Sequence, residues 1–470
     1  MTTTTTAAAT EVAPPVAEED LAALRAAVHG PVLTPSDADL AAEVATFNLA
    51  VTHRPSVVVG ATCADDVVAA VRWAGAHELP VAVQATGHGP MQPVEHAVLV
   101  TTGRMRTVEV DAVRRTAQVG AGARWADVLG EAEPHGLTGV AGSSSQVGVV
   151  GYSVGGGMGP LGRRHGYGAD LVRRVEIVTA DGRLRQVDAE RDPDLFWAVR
   201  GGKGNFGVVT AVEIDLVPVP SLFAGAVFLS GSDAAAVLHS FRTWAATLPE
   251  RASTSVALLN MPPFEGVPDA LRGRYVVMLR FALDGTDAEG DALLAPMREA
   301  GQVLLDSVGR IPTTATDVIH QDPRDPMPVW ERGGLLAELP AGAVDALLGS
   351  AGEGRAPHLA MVELRLMGGA LGRPARIPNA VSGREGAYSL LTLGVLAPGI
   401  AEAVQAEGEG VHEALAPWST GTAPVNWLGP SATPAEIAAA WRPEVFQRLL
   451  AIKERVDPAN MFRFGHAIVG

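Results

Sequence analysis

The stretch Gly139–Asp170, GVAGSSSQVGVVGYSVGGGMGPLGRRHGYGAD, constrains the fold more than any other part of the chain. It holds eleven glycines, with apolar residues or small hydroxyls between most of them and no charged side chain before Arg163. Each interior glycine costs a helix about 1 kcal/mol relative to alanine, and a run this rich in glycine is also a poor strand. The sequence therefore predicts neither an ordinary helix nor an ordinary strand here. A backbone that exposes many N–H groups and lets a ligand approach closely suits a cofactor cradle; a cluster of structural turns is the other reading.

Two familiar motifs lie in or near this run, and neither completes. Gly157, Gly159 and Gly162 spell GxGxxG, yet Pro160, Arg163 and Arg164 follow where a dinucleotide-binding turn needs the apolar period of a helix. Gly201-Gly202-Lys203-Gly204-Asn205 lacks the Ser or Thr that follows the lysine of a phosphate loop. Upstream, a strand over Pro80–Gln84 runs into Ala85–Pro90, where His88 stands between Gly87 and Gly89. A histidine so placed either hydrogen-bonds within its loop or is presented to a ligand.

With 470 residues the chain has room for two or three domains. A formal charge of −16, with no basic cluster interleaved with aromatics, argues against nucleic acid and anionic membranes as partners. Cys63 is the single cysteine, which excludes a disulfide framework and suggests a small buried hydrophobe. The segment MTTTTTAAATEVAPPVAEED has no basic start and no leucine-rich core, so residues 1–20 read as a disordered tail on a cytoplasmic protein. No uninterrupted apolar run is long enough to span a membrane.

Read in order, Thr62–Asp65 resembles a capping box before a helix with Val67, Val68, Val71 and Ala74 on one face. Short strands follow at Val98–Val100, Thr107–Val110 and Ala117–Val119, then a helix with Trp125, Val128, Leu129 and Ala132 inward. Val172–Val178 and Leu184–Val187 flank Asp181-Gly182, the signal for a two-residue hairpin turn. A short helix over Pro193–Val199 leads through the glycine-rich Arg200–Gly207 into a strand over Val208–Leu216. Beyond Pro218 and Pro220, strands fall at Phe223–Leu229, Thr254–Leu259, Tyr275–Leu283, Leu359–Leu366 and Tyr388–Leu396. Helices lie around Val237–Leu248, Ala288–Glu299, Ile400–Ala416 and 435–456. Two rounds of strand, helix and paired strands predict an antiparallel sheet with helices on one face and the other face free to cover a ligand.

These residues carry a resemblance. Gln84–Gly89 is similar to an RSGGHS-like loop, and Gly142–Gly151 with Gly155–Gly159 to a GTCPTVGVGG…GGGxG signature. Arg200–Gly207 is similar to RGGGGNFG, and Asp457–Phe462 to DPxNxF. Four ordered signatures from about Leu24 to the C-terminus resemble the berberine-bridge-enzyme-like oxidoreductases of the vanillyl-alcohol oxidase and p-cresol methylhydroxylase superfamily. The resemblance implies an α+β, two-domain covalent flavoprotein. Residues 21–217 would form an FAD-binding domain of two small α/β subdomains, and 218–434 a substrate domain with an antiparallel sheet flanked by helices. Residues 435–470 would return to the FAD-binding domain.

It also implies the site. FAD would be joined to the ring of His88, with Thr86, Gly87 and Gly89 beside it. Gly142, Ser143, Ser144, Val147, Gly148, Gly151 and Tyr152 would line its bed, continued by Gly155, Gly156, Gly157 and Gly159. Asn205, Gly207, Val209, Asn460 and Phe462 would complete it, with no metal. Bicovalent relatives attach FAD a second time through the cysteine of GTCP; Ser144 stands there, so a single link is implied. The YVNY-like site becomes Pro424-Val425-Asn426-Trp427, leaving Asn426 and Trp427 without the two tyrosines. Glu363 and Arg365 alternate on one strand and share a face, either as a catalytic pair or as an anchor of the sheet. Tyr388 joins them as a catalytic candidate, with Arg384 and His466 behind it. The implied activity is hydride transfer from a small hydrophobic or aromatic secondary metabolite to flavin N5, with O2 as acceptor, in a monomer or homodimer. Flavin chemistry without net oxidation, as in a cyclase or isomerase, and a flavin-stabilised binding protein without turnover are the alternatives.

Overall fold

The computed structural model describes residues 17–469. Residues 1–16 of the expected tail lie outside the described residues, whereas Glu18–Asp20, its last part, open the helix Glu18–Ala27.

Three sheets organise the chain. The strands Val57–Gly60 and Val81–Gln84 flank Val98–Thr101 in parallel, and Val32–Leu33 adds an antiparallel edge. Buried valines fill these strands because the helix Ala64–Ala76 packs its Val67, Ala70, Val71 and Ala74 against them. A second, antiparallel sheet runs Val108–Asp111, Thr116–Gly120, Val208–Asp215, Val172–Val178, Leu184–Asp188. The third is a large antiparallel sheet in the order Val303–Asp306, Ser221–Ser230, Tyr275–Leu283, Ala252–Asn260, Met361–Leu366, Tyr388–Val395, Val329–Leu336, with Gly309–Pro312 also pairing Ser221–Ser230. The α+β arrangement of two small sheets and one antiparallel sheet flanked by helices is the one the sequence implied.

Alternation settles which side of the large sheet meets the helices. Leu364, Leu366, Tyr388 and Leu390 point toward the helices Ala234–Ala245, Ala341–Ala351 and Ala401–Leu415 and join their core. Met361, Glu363, Arg365, Leu391 and Leu393 take the other side, so that face is left for the cleft.

Several local expectations need correction. The glycine run does contain a helix, Val149–Val154, short enough to tolerate the single interior Gly151. Thr62 receives no cap from Asp65; Asp66 instead accepts from both the Thr62 amide and hydroxyl, 2.9 and 2.7 Å away. The hairpin connection spans Thr179–Arg183 with Gly182 at φ 67°, longer than a two-residue turn. The helix expected over 435–456 is two, Pro434–Ala439 and Pro443–Val456, because Pro443 starts the second one afresh. Cys63 is half-exposed, its Sγ 3.8 Å from His29 Nδ1, and is not a core residue.

Candidate flavin and substrate cleft

A cleft of about 1150 Å³ lies between the two small sheets and the open face of the large one. Its floor is the loop after Val81–Gln84 together with the glycine run, its roof the sheet, and its end wall the C-terminal segment near Phe462 and His466.

The floor loop is held from below. Gln84 Oε1 accepts from His53 Nε2 at 3.0 Å, since His53 Nδ1 already accepts from the Val94 amide, and Gln84 Nε2 donates to Ala45 O. Gly87, at φ 66°, passes so close to Thr46 that a Cβ would sit 2.7 Å from its Cα. That turn delivers His88 flat against Phe47, ring centroids 4.1 Å apart. His88 Nδ1 shares a 2.8 Å hydrogen bond with the Thr86 hydroxyl, and its buried Nε2 has no partner. Burial, helped by the charge of Arg124, pushes the His88 pKa down to about 4, so the ring is neutral at neutral pH.

The glycine run serves two purposes. Cβ atoms at Gly142, Gly157 and Gly168 would strike the ring of Tyr152, which is buried at the edge of the cleft and packs edge-on against Trp125. These glycines make room for a side chain. Gly142, Ser143, Ser144, Val147, Gly148, Gly151, Gly155 and Gly157 line the cleft directly, as do Gly207, Val209 and Phe462. Gly156 and Gly159 do not; a Cβ at Gly159 would meet Ala141 O at 1.8 Å, which is a close approach of two backbone segments.

Asn205 and Asn460 also lie off the cleft. Asn205 donates to Gly202 O and His466 O and accepts from the Ile468 amide, so its amide group ties the C-terminal segment to the Arg200–Gly207 loop. Asn460 sits at φ 49° in the turn after Asp457. Arg200 of the same loop is buried and donates to Phe196 O and Pro378 O, a structural use of its guanidinium.

On the roof, Glu363 lies between two arginines: Arg280 Nη1 donates to its Oε1 at 2.7 Å and Arg365 Nη2 to its Oε2 at 3.0 Å. Burial alone would raise the Glu363 carboxyl. Arg365 and Arg280 outweigh it and hold the group well below the usual carboxylate range. His320, completely enclosed beside them, is pushed well below the usual histidine range by burial and by the same two arginines. Arg365 also lies 5.2 Å over the Trp427 ring, and Asn426 donates to Tyr152 O at 2.9 Å. Tyr388, expected at the site, is on the helix side of the sheet next to Phe241 and is excluded by strand parity. Arg384 is outside the cleft as well, paired to Asp170 and stacked on Tyr167. His466 lines the end wall, its Nε2 donating to Leu428 O while Nδ1 is buried without a partner.

Sequence reading missed Arg280 and His320 of the roof and two further cleft residues, Lys203 and Glu331. Lys203 occupies a glycine position of the RGGGGNFG pattern and has φ 58° and ψ −152°, a region that costs a side-chain-bearing residue on the order of 1–3 kcal/mol. That substitution, in a chain with two lysines, was the available signal. Glu331 is on the Val329–Leu336 strand, whose Gly333-Gly334 pair hid its period.

The comparisons with known proteins fall on the same residues. A family profile described as an FAD binding domain matches residues 55–188, and one described as berberine and berberine like matches 437–469. (R)-6-hydroxynicotine oxidase of Paenarthrobacter nicotinovorans is 28% identical over 94% of this chain and 97% of its own length. The chain belongs to the berberine-bridge-like FAD-linked oxidoreductases. Among solved structures, this oxidoreductase resembles 6-hydroxy-D-nicotine oxidase from Arthrobacter nicotinovorans with a TM-score of 0.81, 24% identity and coverage of 94% and 98% of the two chains. It resembles a carbohydrate oxidase from Microdochium nivale with a TM-score of 0.82, 19% identity and coverage of 96% and 99%. No helix among the described residues is long and apolar enough to cross a membrane.

Proposed function

We propose that this oxidoreductase is an oxidase of a hydrophobic or aromatic secondary metabolite, with FAD attached through His88 alone and O2 as the electron acceptor. The observation that carries the reading is His88 itself: a neutral imidazole with a buried, unpartnered Nε2 on a braced loop at the floor of the cleft. A ring nitrogen must be unprotonated to bond an electrophilic carbon, and burial secures that form at neutral pH. Around it, the backbone of Gly142, Ser143 and Ser144 and the glycines at 148, 155, 157 and 207 suit the rest of the cofactor, with only the small side chains of Ser143, Ser144 and Val147 reaching the bed. FAD, when bound, supplies the two-electron acceptor.

The chain's own residues bind and orient the substrate. Phe228, Leu259, Met278, Met361, Leu391 and Leu393 give the roof an apolar surface, and Trp427 adds a wall. Such a lining suits an aromatic body better than a sugar, whose hydroxyls need several polar partners. Arg365, oriented by Glu363, presents a cation for an oxygen of the substrate, and Asn426 adds an amide. Glu363 is a poor proton acceptor because two arginines stabilise its ionised form.

Protein denatured and washed free of loose flavin should stay yellow and carry one FAD mass on the peptide containing His88. A colourless wild type with an unmodified peptide overturns the covalent link. Anaerobic mixing with (R)-6-hydroxynicotine, benzylic alcohols, phenols and oligosaccharides should bleach the flavin fastest with aromatic compounds, and readmitted air should yield hydrogen peroxide. Faster bleaching by sugars overturns the substrate class, and product without peroxide points to chemistry without net oxidation.

A further inference from the structure

We propose that Lys203 and Glu331 are the acid–base pair of the cleft, receiving the proton that a substrate O–H or N–H group gives up as the adjoining carbon is oxidised. The proposal rests on the oxidoreductase reading above and adds to it the group that handles the proton.

Both side chains face the same cavity from opposite directions. Lys203 comes from the loop between Gly202 and Asn205, Glu331 from the cleft-facing side of Val329–Leu336. The stem of Lys203 runs over the glycine bed beside Asn426: a Cβ at Gly155 would lie 2.6 Å from Lys203 Cε and 1.9 Å from Asn426 Oδ1. Only glycine at 155 leaves that path open.

Neither side chain has a hydrogen bond or an ion pair within 4.0 Å among the described residues. Their neighbours differ. Arg280 and Arg365 both pair with Glu363 on the same sheet face, four and two strands away. The other lysine, Lys453, donates to Asn205 O, Asp457 and Phe462 O. A cation and an anion that face a cleft with no protein partner, one on a backbone that disfavours any residue but glycine, are placed for something that enters the cleft.

Their electrostatics agree. Burial raises Glu331 to about 7 against the pull of Lys203, and lowers Lys203 to about 8 against the pull of Glu331. A general base is most useful when its pKa lies near the working pH. The titratable group that also faces Lys203 is His466, which burial first and the Lys203 charge second keep neutral; Lys203 is the charged group that acts on Glu331. His466 donates from Nε2 to Leu428 O. With FAD bound as the two-electron acceptor, the substrate carbon would give up a hydride, the O–H or N–H electron pair would become the second bond of C=O or C=N, and the proton would pass to the Glu331 carboxylate. Lys203 stabilises that carboxylate before transfer.

The chain has two lysines, so holoenzyme made with 13Cε,15Nζ-lysine gives two side-chain signals, assigned by Lys203→Gly. Glycine is the residue the motif carries at this position and relieves the backbone, so this variant should fold. The Lys203 signal should titrate near 8, and Glu331→Gln should move the midpoint down by about one unit, because the lost anion no longer holds the proton. A midpoint near the ordinary lysine value of 10.5, or one that Glu331→Gln leaves in place, overturns the pair. With the compound that bleaches the flavin fastest, Glu331→Gln should slow reduction about 100-fold or more and flatten its pH profile, with partial rescue in Glu331→Asp. Unchanged reduction and pH profile overturn the proposal too. If Lys203 titrates as expected but no compound of the panel reduces the flavin, the substrate class proposed above fails, while the coupling of Lys203 to Glu331 stands.

Discussion

Gly142, Gly157 and Gly168 are best understood through Tyr152, whose ring occupies the volume their side chains would need. Gly157 is the most exacting, since it is at φ 75° and its Cβ would fall 2.3 Å from Tyr152 Cε1. Gly157→Ala should therefore destabilise the protein by about 1–3 kcal/mol from overpacking, with left-handed strain in addition. A lower urea midpoint at unchanged slope would show it; an unshifted midpoint would mean that Tyr152 moves freely. Lys203 gives a second residue-scale expectation. Its folded pKa of about 8 lies below its ordinary 10.5, so between these values the unfolded chain binds more protons and stability rises with pH. Lys203→Gly should remove that slope, checked by denaturation curves across pH 8 to 10.5. Ser144 lines the cleft, at the position the resemblance aligns with the second flavin-linking cysteine of bicovalent members. Ser144→Cys should add a second link, seen by mass spectrometry as one FAD joining two peptides, because a thiolate is nucleophilic where a hydroxyl is not.

At the scale of strands, the Met361–Leu366 segment shows why part of the site was legible. Glu363 and Arg365 stand two residues apart amid buried apolar residues, and a period of two places both on one face. Tyr388 misled because strand parity depends on register: it pairs with Leu366, an inward residue, whereas Ser389 pairs with Arg365. Register is not readable from one strand alone. Arg280 sits in a correctly expected strand, but nothing local marks it, since its partner Glu363 is 83 positions away. Val329–Leu336 escaped for a different reason: two adjacent glycines in its middle erase the apolar alternation, one of them needed because a Cβ at Gly333 would meet Trp427. The Arg280–Glu363–Arg365 group makes a prediction at this scale. Glu363→Gln leaves two buried guanidinium groups without their anion and should cost about 3–5 kcal/mol by urea denaturation at neutral pH. The folded pKa of Glu363 is depressed, so this contribution is present above the ordinary carboxylate range and is lost as pH falls below it. The difference between wild type and variant should narrow in acid.

Across the whole molecule, the cleft depends on a chain end that crosses back to its beginning. Asp457 accepts from the amides of Met461 and Phe462 and from Lys453, while Lys453 also donates to Asn205 O in the glycine-rich loop and to Phe462 O. Met461 O in turn accepts from the Val81 amide, at the start of the strand that leads to His88. The DPxNxF pattern is thus a clasp. It joins the last helix, the loop that presents Lys203, and the strand that presents His88, and Asp457 and Lys453 are both fully enclosed in it. Removing the anion leaves a buried ammonium and two amides short of their acceptor, so Asp457→Ala should destabilise by about 3–5 kcal/mol. The clasp touches the walls of the cleft and not its interior, so the expected defect is in assembly. Less His88-linked FAD should form per chain, and the fraction that does form should reduce with substrate at close to the wild-type rate. Flavin stoichiometry and rapid-mixing reduction, measured on the same preparation, separate these quantities. Full flavin loading in Asp457→Ala would show that the cleft keeps its shape without the clasp, and slow reduction of fully loaded enzyme would give Asp457 an influence on the chemistry that its position does not explain.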